Sequence, residues 1–300
     1  MTGTEWFQLR AELADVLTDG GLDPATVEQV IRRALDEDLA LGPDVTTLAT
    51  VPAGARATGD VVPRSPGVLA GVPIAAAVFG IVGGPDVEVV LHAADGMAAR
   101  RNAPVLTVTG PTRSLLTAER TALNLICHLS GVATLTRRWV DAVAGTTAAI
   151  RDTRKTTPGL RALEKYAIRC GGGVNHRMAL GDAALVKDNH VAAAGGITAA
   201  VEAVRTHAPT VPLEVECDTL DQVREAVAAG VELVLLDNFS LDDTGAAVEL
   251  VRGTGVRLEA SGGLDLTRAA EVAATGVDYL AVGALTHSAP VLDLGFDLRD

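Results

Sequence analysis

The chain has 300 residues and a mass of 30.8 kDa, which corresponds to about two domains at the usual ~150 residues each. Its hydrophobic content of 48% and charged content of 21% are those of a globular protein and exclude a disordered chain. The net charge of −13 and the aromatic content of 3% argue against a general binder of nucleic acids or anionic membranes. Such partners need a basic face, and exposed bases need aromatic stacking platforms.

Cysteine usage and the N-terminal sequence bear on the cellular compartment. Cys127, Cys170 and Cys217 form no CxxC pair, so neither a disulfide scaffold nor a zinc ribbon is expected. The first 17 residues include acidic side chains and lack a basic segment before an apolar one, which is unlike a signal peptide. Both features predict a protein of the reducing cytoplasm.

The first part of the chain predicts a mixture of helices and short strands. Asp23 and Pro24 suit the cap and first turn of a helix that runs to about Glu37. Apolar residues at helical spacing predict a longer helix over about 114–129. Short apolar runs between these helices predict strands at about 55–63, 68–69, 87–91 and 105–109.

One uncharged segment, residues 65–85, is long enough to span a bilayer. It contains three prolines and five glycines, and its remaining bulk is mostly alanine and valine. Pro73 suits the first turn of a helix. We therefore predict a short strand near 68–70 and a buried helix over about 73–82, with a membrane span as the weaker alternative.

From about Thr147 onwards, short apolar runs alternate with helical stretches. This alternation is typical of parallel strands joined by right-handed crossovers. Six or more such units favour a barrel or most of one, and a doubly wound sheet is the alternative. The predicted strands are 148–150, 184–186, 213–215, 233–236, 256–258 and 279–282, and the predicted helices are 160–169, 197–207, 220–229, 242–251 and 266–274.

A polar or glycine-rich group follows each of these apolar runs. In parallel α/β folds the active site lies at the carboxyl ends of the strands. Asp237 or Ser261 alone would be interpreted as a helix cap, but six such groups in succession indicate one functional rim. The groups are 151–155, 187–190, Glu216, Asp237 with Asn238, 261–263 and Gly283.

Small residues follow the last two predicted strands. They leave backbone N–H groups approachable, and barrels commonly bind a phosphate at this place. The same glycines could instead serve only to make tight turns. We favour a phosphate site because both loops show the pattern. The residues concerned are Ser261, Gly262, Gly263 and Gly283.

Positive charge is concentrated in one stretch of this acidic chain. Residues 151–187 contain eight basic and three acidic side chains, a balance of +5, which leaves −18 for the remainder. The chain has only three lysines, and Lys155 and Lys187 both follow predicted strands. A lysine where arginine is otherwise preferred suggests a need for a point charge. A cationic rim on an acidic protein implies a small, multiply charged anion as substrate.

Two further pairs of side chains are candidates for the chemistry of this rim. His176 and Arg177 end the glycine-rich segment 171–177, and they are suited to donate hydrogen bonds to a carboxylate. Glu216 and Asp237 follow neighbouring predicted strands. In a cationic pocket they could bind sugar hydroxyls, hold Mg²⁺ through water or stabilise a developing positive charge.

These residues resemble the quinolinate phosphoribosyltransferase family over nearly the whole chain. The most specific block is RDTRKTTPGLRALEKYAIRCGGGVNHRMALGDAALVKDNH at 151–190. The chain departs from the family pattern at 41–44, where Pro43 stands at a position at which many relatives continue with glycine. Further matching blocks are EDLALGPDVTT at 37–47, AERTALNLICHLSGVAT at 118–134, LEVE at 213–216, LLDNF at 235–239, EASGG at 259–263 and VGALTHSAPVLDLG at 282–295.

The resemblance implies an α/β fold in two domains. An N-terminal open α/β sandwich would cover 1–128, and an incomplete α/β barrel of parallel strands would cover 129–287. The tail, 288–300, would pack back on the N-terminal domain. The resemblance also implies a homodimer in which one subunit's N-terminal domain caps the barrel mouth of the other. Arg120, from sequence alone only a helix arginine, would then contribute across the interface.

The resemblance further implies transfer of a phosphoribosyl group from phosphoribosyl pyrophosphate to quinolinate. Decarboxylation would follow, giving nicotinate mononucleotide, pyrophosphate and CO₂ in NAD biosynthesis, with Mg²⁺ bound to phosphoribosyl pyrophosphate. Lys155, Lys187, Glu216 and Asp237 would be catalytic. The residues implied in substrate binding are Arg120, Arg154, His176, Arg177, Lys187, Ser261, Gly262, Gly263 and Gly283.

Other functions remain open at this level. A related phosphoribosyltransferase acting on nicotinate or another ring would lack part of the dicarboxylate-binding set. An aldolase could use Lys187 as a Schiff base, since a lysine at a strand end permits it. A sensor of phosphorylated ligands could keep the scaffold without turnover.

Overall fold

The computed structural model describes residues 6–299. They form two compact units, each discontinuous in sequence. The first unit comprises residues up to 135 together with 157–172 and the C-terminal segment from 288, and the second comprises 136–156 and 173–287. Both the mixed α/β fold and the parallel arrangement of the second unit confirm the predicted fold class.

The first unit contains a four-stranded antiparallel sheet with helices. Asp44, whose role the sequence left open, caps α3 by accepting hydrogen bonds from the backbone and hydroxyl of Thr47. Its helices are α1 (Ala11–Asp19), α2 (Pro24–Asp38), α3 (Val45–Thr50), α4 (Val72–Gly83), α5 (Thr112–Ala142, which continues beyond the unit) and α6 (Arg161–Cys170). Its strands are β1 (Arg56–Pro63), β2 (Gly67–Val68), β3 (Glu88–Leu91), β4 (Ala98–Ala99), β5 (Leu106–Pro111) and β12 (Leu294–Leu298).

The order of strands in the main sheet is β12-β1-β5-β3, with β2 and β4 forming a separate pair. The uncharged segment of the sequence forms β2 and the buried helix α4, as predicted. Among the described residues, none of the helices combines the length and apolar character that crossing a membrane requires. The membrane-span alternative therefore has no support in this segment.

The two units differ from the predicted domain ranges at two places. The predicted boundary at 128/129 lies within the 31-residue helix α5, whose apolar pattern continues beyond the predicted 114–129. Helix α6, which the sequence assigned to the barrel, belongs to the first unit. There Tyr166 donates a hydrogen bond of 2.6 Å to Asp95, and Glu164 accepts one of 2.8 Å from His128. An amphipathic pattern shows that a helix is half-buried but does not identify its packing partner.

The second unit is built on a six-stranded parallel sheet in the order β6-β11-β10-β9-β8-β7. Each predicted strand is present, with bounds shifted by at most three residues. The strands are β6 (Ala149–Arg151), β7 (Ala184–Val186), β8 (Leu213–Cys217), β9 (Leu233–Asp237), β10 (Arg257–Ser261) and β11 (Tyr279–Ala281). The helices are α7 (Asp188–Ala194), α8 (Ile197–His207), α9 (Leu220–Ala228), α10 (Leu241–Val251), α11 (Ala269–Ala274) and α12 (Ala284–His287).

This strand order is that of a barrel with a gap rather than of a doubly wound sheet. Strands β7 to β11 follow one another in sequence order, and β11 pairs with β6, the first strand. The gap lies between β6 and β7, where Val174 forms a parallel bridge with Arg151 on the free edge of β6. Because all six strands are parallel, their carboxyl ends lie along one edge of the sheet.

The C-terminal segment depends on a glycine in α5. A Cβ atom at Gly131 would lie 2.3 Å from the carbonyl oxygen of Pro290, which is backbone and cannot move alone. We expect Gly131→Ala to destabilise the protein by about 1–3 kcal/mol through overpacking. Thermal or urea unfolding measures the change in the free energy of unfolding.

Gly245→Ala provides the matched control, because Gly245 lies inside α10 and a Cβ there meets nothing within 4 Å. That substitution should stabilise the protein by up to about 1 kcal/mol through helix propensity. Equal effects of the two substitutions would show that the contact with Pro290 contributes nothing.

Candidate active site

A cavity of about 440 Å³ opens at the carboxyl edge of the parallel sheet in the second unit. Side chains alternate across a strand, so every second residue faces the same side. The cavity accordingly receives Leu235 and Asp237 from β9 and Glu259 and Ser261 from β10. Eight of the predicted site residues line it: Arg154, Lys155, His176, Arg177, Lys187, Glu216, Asp237 and Ser261.

Two arginines in this cavity have hydrogen-bonding capacity that the protein leaves unused. The Nε atoms of Arg154 and Arg177 are buried and have no hydrogen-bond partner. Burial lowers the pKa of Arg177, and the positive charge of Arg154 lowers it further. Two mutually repelling guanidinium groups with unpaired N–H donors form a site that an anion would stabilise.

Lys187 and Glu216 form an ion pair inside the cavity. The lysine side chain is 44% exposed and the glutamate side chain 12% exposed, so substrate can still reach the ammonium group. Lys187 follows β7 directly, and its backbone N–H donates a 3.0 Å hydrogen bond to His190 Nδ1. This contact fixes the main chain at the point where α7 begins.

The segment that ends in His176 and Arg177 is held by one buried carboxylate. Asp152 is fully buried, and its two oxygens accept hydrogen bonds from the His176 backbone N–H at 2.8 Å and the Asn175 side chain at 2.6 Å. Val174 also donates a backbone hydrogen bond of 2.8 Å to Ile150. The predicted glycine-rich loop therefore extends the edge of β6 and is a rigid part of the site.

Both ring nitrogens of His176 are engaged by the protein. Its Nδ1 atom accepts a 2.7 Å hydrogen bond from the Arg177 backbone N–H, so that nitrogen carries no proton. Its Nε2 atom lies 2.8 Å from Oε2 of Glu214 and therefore carries the ring proton as a donor. The sequence predicted His176 as a donor to a substrate carboxylate, and in this structure its N–H faces Glu214.

Sequence reasoning missed the charged residues beneath the cavity. Glu214 and Glu259 are buried, and the half-buried Arg151 places its Nη1 atom 2.6 Å from Glu259 Oε2. Burial raises the pKa of Glu259, and repulsion from Glu214 raises it further. The signal was in the sequence: Glu214 precedes Glu216 by two residues, and Glu259 precedes Ser261 by two, so each pair shares a strand face.

The loop after β10 requires glycine for a steric reason. Gly262 has φ +85°, and a Cβ there would lie 2.3 Å from the side-chain oxygen of Asn238. Asn238 itself has positive φ, and its backbone N–H donates to the Ser261 carbonyl at 3.0 Å. Gly262 and Gly263 line a second cavity of about 230 Å³. The two loops thus approach each other backbone to backbone.

The two remaining predicted residues are Gly283 and Arg120. Gly283 lies against the aliphatic part of Lys155, since a Cβ there would meet the lysine Cδ at 2.9 Å. Arg120 lies on α5 in the first unit, with a side chain 64% exposed and Glu119 at 4.0 Å.

A parallel α/β sheet with a cavity at its carboxyl edge that brings together two arginines and two lysines is the architecture of an enzyme for small anionic substrates. Comparisons with known proteins agree. Residues 44–130 match the model of the quinolinate phosphoribosyl transferase N-terminal domain, and residues 132–297 match that of its C-terminal domain. The chain belongs to the quinolinate phosphoribosyl transferase family.

Individual relatives cover nearly the whole chain. It is 57% identical over 286 residues to a nicotinate-nucleotide pyrophosphorylase [carboxylating] of Mycobacterium leprae, covering 94% of this chain and 100% of the relative. It is 37% identical to the human protein of the same name, with 92% and 93% covered. The solved nicotinate-nucleotide pyrophosphorylase of Francisella tularensis superposes with a TM-score of 0.87 at 38% identity, covering 92% of this chain and 96% of that one.

The buried carboxylate of Asp152 gives a testable prediction. Asp152→Ala leaves buried N–H donors of the 175–176 segment unpaired, which should cost about 1–3 kcal/mol of the free energy of unfolding. It should also increase the rate of amide exchange in residues 173–177. Denaturant unfolding and hydrogen-exchange mass spectrometry measure the two effects.

Asp182→Ala is the matched control. Asp182 also accepts two backbone hydrogen bonds, from Met178 and Ala179, but it is exposed, so water can replace it. Its loss should cost less than about 1 kcal/mol. An equal cost for both aspartates would contradict the special role of the buried one.

Proposed function

We propose that this chain transfers the phosphoribosyl group of phosphoribosyl pyrophosphate to quinolinate and releases CO₂. The products would be nicotinate mononucleotide and pyrophosphate, in the biosynthesis of NAD. Family membership and relatives that are named carboxylating support this activity. The observation that carries it is the pair of buried, unpartnered guanidinium N–H groups of Arg154 and Arg177 in the cavity.

Quinolinate is a pyridine with two adjacent carboxylates, and it requires several cations close together. Arg154 and Arg177 offer unused donors, and Lys187, which lines the same cavity, adds a point charge. Substrate binding would draw Lys187 from Glu216 towards a carboxylate. A ring with a single carboxylate would leave part of this positive charge without a partner.

The phosphorylated sugar would occupy the other half of the cavity. Ser261, Gly262, Gly263 and Gly283 would hold the 5′-phosphate by backbone N–H groups, with Lys155 directed towards the pyrophosphate. Glu216 and Asp237 would bind the ribose hydroxyls. Their negative charge would favour the oxocarbenium-like ribosyl centre that develops as pyrophosphate departs.

The cavity would act by positioning and electrostatics, without a covalent enzyme intermediate. The ring nitrogen of quinolinate attacks the ribosyl centre and becomes a pyridinium. The bonding electrons of the neighbouring carboxylate then remain on the ring carbon as CO₂ leaves, and that carbon takes up a proton. Arg154 and Arg177 hold the dicarboxylate against the sugar throughout.

Mg²⁺ enters this proposal as part of the phosphoribosyl pyrophosphate complex, where it would neutralise the departing pyrophosphate. The residues present fit such a complex, because Asp237 offers a carboxylate at the rim. One of its oxygens accepts only a neutral hydrogen bond of 2.8 Å from Asn238. Glu216 is instead committed to Lys187.

We propose a homodimer in the cytoplasm, with Arg120 of one subunit completing the dicarboxylate site of the other. The exposure of the Arg120 side chain supports a role outside its own unit.

A Schiff-base role for Lys187 is disfavoured, because its ion pair with Glu216 stabilises the charged ammonium rather than a nucleophilic amine.

Removal of a dicarboxylate-binding cation tests the proposal. Arg177→Ala and Lys187→Ala should each lower quinolinate-dependent release of labelled CO₂, because losing one cation that pairs with a bound carboxylate costs about 2–5 kcal/mol of binding. Arg252→Ala, at an exposed surface pair with Glu249, is the control and should keep wild-type turnover. Nicotinate should be a poor substrate for the wild type.

Wild-type rates in both cavity variants would remove their proposed binding roles. If the wild type turned over nicotinate in preference to quinolinate, nicotinate would replace quinolinate as the proposed substrate. Binding of phosphoribosyl pyrophosphate alone should survive better in Arg177→Ala than in Asp237→Ala, and the reverse order would contradict the division of the cavity.

The proposed phosphate loop gives a separate prediction. Gly262→Ala should raise KM for phosphoribosyl pyrophosphate by about tenfold or more, because the new Cβ displaces the loop from Asn238. Gly253→Ala is the matched control, since Gly253 also has positive φ but a Cβ there meets nothing within 4 Å. Steady-state kinetics should show an unchanged KM in the control, and an equal change in both variants would refute the assignment.

A further inference from the structure

The interior of the parallel sheet is charged where the interior of an α/β barrel is usually filled by branched apolar side chains. His176, Glu214 and Glu259 each offer one nitrogen or oxygen atom, and these atoms lie within 4.8 Å of one another. All three side chains are buried. Burial of this kind costs free energy, which indicates a specific role.

Two of these residues, His176 and Glu259, line the floor of the active-site cavity, and Glu214 contacts His176 without lining that cavity. His176 lines both that cavity and a smaller one of about 110 Å³ on the other side, to which Glu214 contributes. Glu259 lines the larger cavity. The hydrogen bonds described above run from Glu214 through the His176 ring to the backbone N–H of Arg177.

Two carboxylate oxygens of these residues have no hydrogen-bond partner, namely Oε1 of Glu214 and Oε1 of Glu259. The latter also lies 3.7 Å from Nε2 of His176. Two ionised carboxylates this close repel each other, and the neutral His176 supplies no compensating charge. A proton held by the pair would remove one of the two like charges.

We propose that Glu214 and Glu259 share one proton and act as a positioning pair for His176. Glu214 accepts the Nε2–H of the histidine, which fixes the tautomer and leaves Nδ1 free to hold the Arg177 main chain. The consequence rests on the proposed function. The pair sets the position of the Arg177 guanidinium, which binds the second carboxylate of a pyridine dicarboxylate.

The charges around Glu259 are consistent with retention of a proton. Burial and Glu214 raise the pKa of Glu259, Asp152 adds to that effect, and Arg151 opposes it. Arg151 is also shared with the ring of Tyr279, 4.8 Å from its guanidinium carbon. The titratable and charged groups that face Glu259 are Arg151 and Asp152 at β6, His176 on the edge segment, Glu214 on β8 and Tyr279 on β11, its neighbour in register.

A metal ion does not fit the same three residues. Nδ1 of His176 accepts a backbone hydrogen bond, so the ring proton occupies Nε2, the atom that would have to bind the metal. Arg151 adds a positive charge 2.6 Å from Glu259. The geometry therefore favours a proton held by the carboxylate pair and not a divalent cation.

The first experiment follows the shared proton through stability. Because the pKa of Glu259 is raised in the folded state, the folded protein loses stability as the pH rises from the ordinary pKa of 4.5 towards the raised pKa. Glu259→Gln mimics the protonated acid and removes this loss. The Tm of the variant relative to wild type should therefore increase between about pH 6 and about pH 9. Glu202→Gln, on the exposed face of α8, is the control, and its Tm difference from wild type should be the same at both pH values.

The second experiment follows the tautomer. In protein with ¹⁵N-labelled histidine, the His176 ring signals, identified by their loss in His176→Gln, should show a neutral ring protonated at Nε2. Glu214→Leu removes the acceptor and should change this spectrum, whereas Glu214→Gln, which keeps an acceptor oxygen, should restore it. An imidazolium, or a proton on Nδ1, in the wild type would overturn the proposal.

The third experiment follows the substrate. Glu214→Leu should raise KM for quinolinate by about 10- to 100-fold, the loss expected from a displaced hydrogen bond to a charged group. KM for phosphoribosyl pyrophosphate should stay within about threefold, and Glu214→Gln should recover most of the loss for quinolinate. Equal changes in both KM values would indicate a structural role only and would overturn the positioning role.

Failure of this proposal and failure of the proposed function give different results. A wild type without quinolinate turnover refutes the function, while the Tm and NMR measurements still test the pair. A wild type that turns over quinolinate, with a Glu259→Gln Tm difference independent of pH, refutes the shared proton alone.

Discussion

Repulsion between two neighbouring guanidinium groups is the constraint on which the site depends. Arg154 and Arg177 keep buried N–H groups without partners, which is unfavourable in the free protein and becomes favourable when an anion enters. Such an arrangement persists only if the surrounding structure is rigid. The rigidity comes from Asp152, which is fully buried and holds the segment before Arg177 against the edge of β6. The stability of the sheet thus maintains a local charge arrangement that an isolated loop would relax.

The sequence predicted the second unit well because its signals are local. Each apolar run followed by a polar residue, such as 213–215 before Glu216, marks both a parallel strand and its functional end. The convergence of Lys187, Glu216 and Asp237 on one cavity follows from parallel strands alone. The helix over 73–82 was also predicted within a residue at each end, since its apolar composition marks burial.

Other features depend on contacts that a sequence pattern does not contain. Helix α6 lies between two predicted barrel segments, yet Tyr166 and Glu164 bind residues of the first unit. The two buried acids were missed because Glu214 lies inside a predicted apolar run and Glu259 directly follows one, and only the period of two connects them to the rim. The state of His176 depends on which groups face its two nitrogens, a property of the folded chain.

The position of β12 at the end of the described chain has a consequence for folding during synthesis on the ribosome. Residues 294–298 pair with residues 59–63 of β1, and these leave the ribosome more than two hundred residues earlier. Until β12 has been synthesised, that border of β1 has no neighbour and can accept a foreign strand. The nascent first unit is therefore exposed to incorrect strand pairing at this border until β12 has left the ribosome.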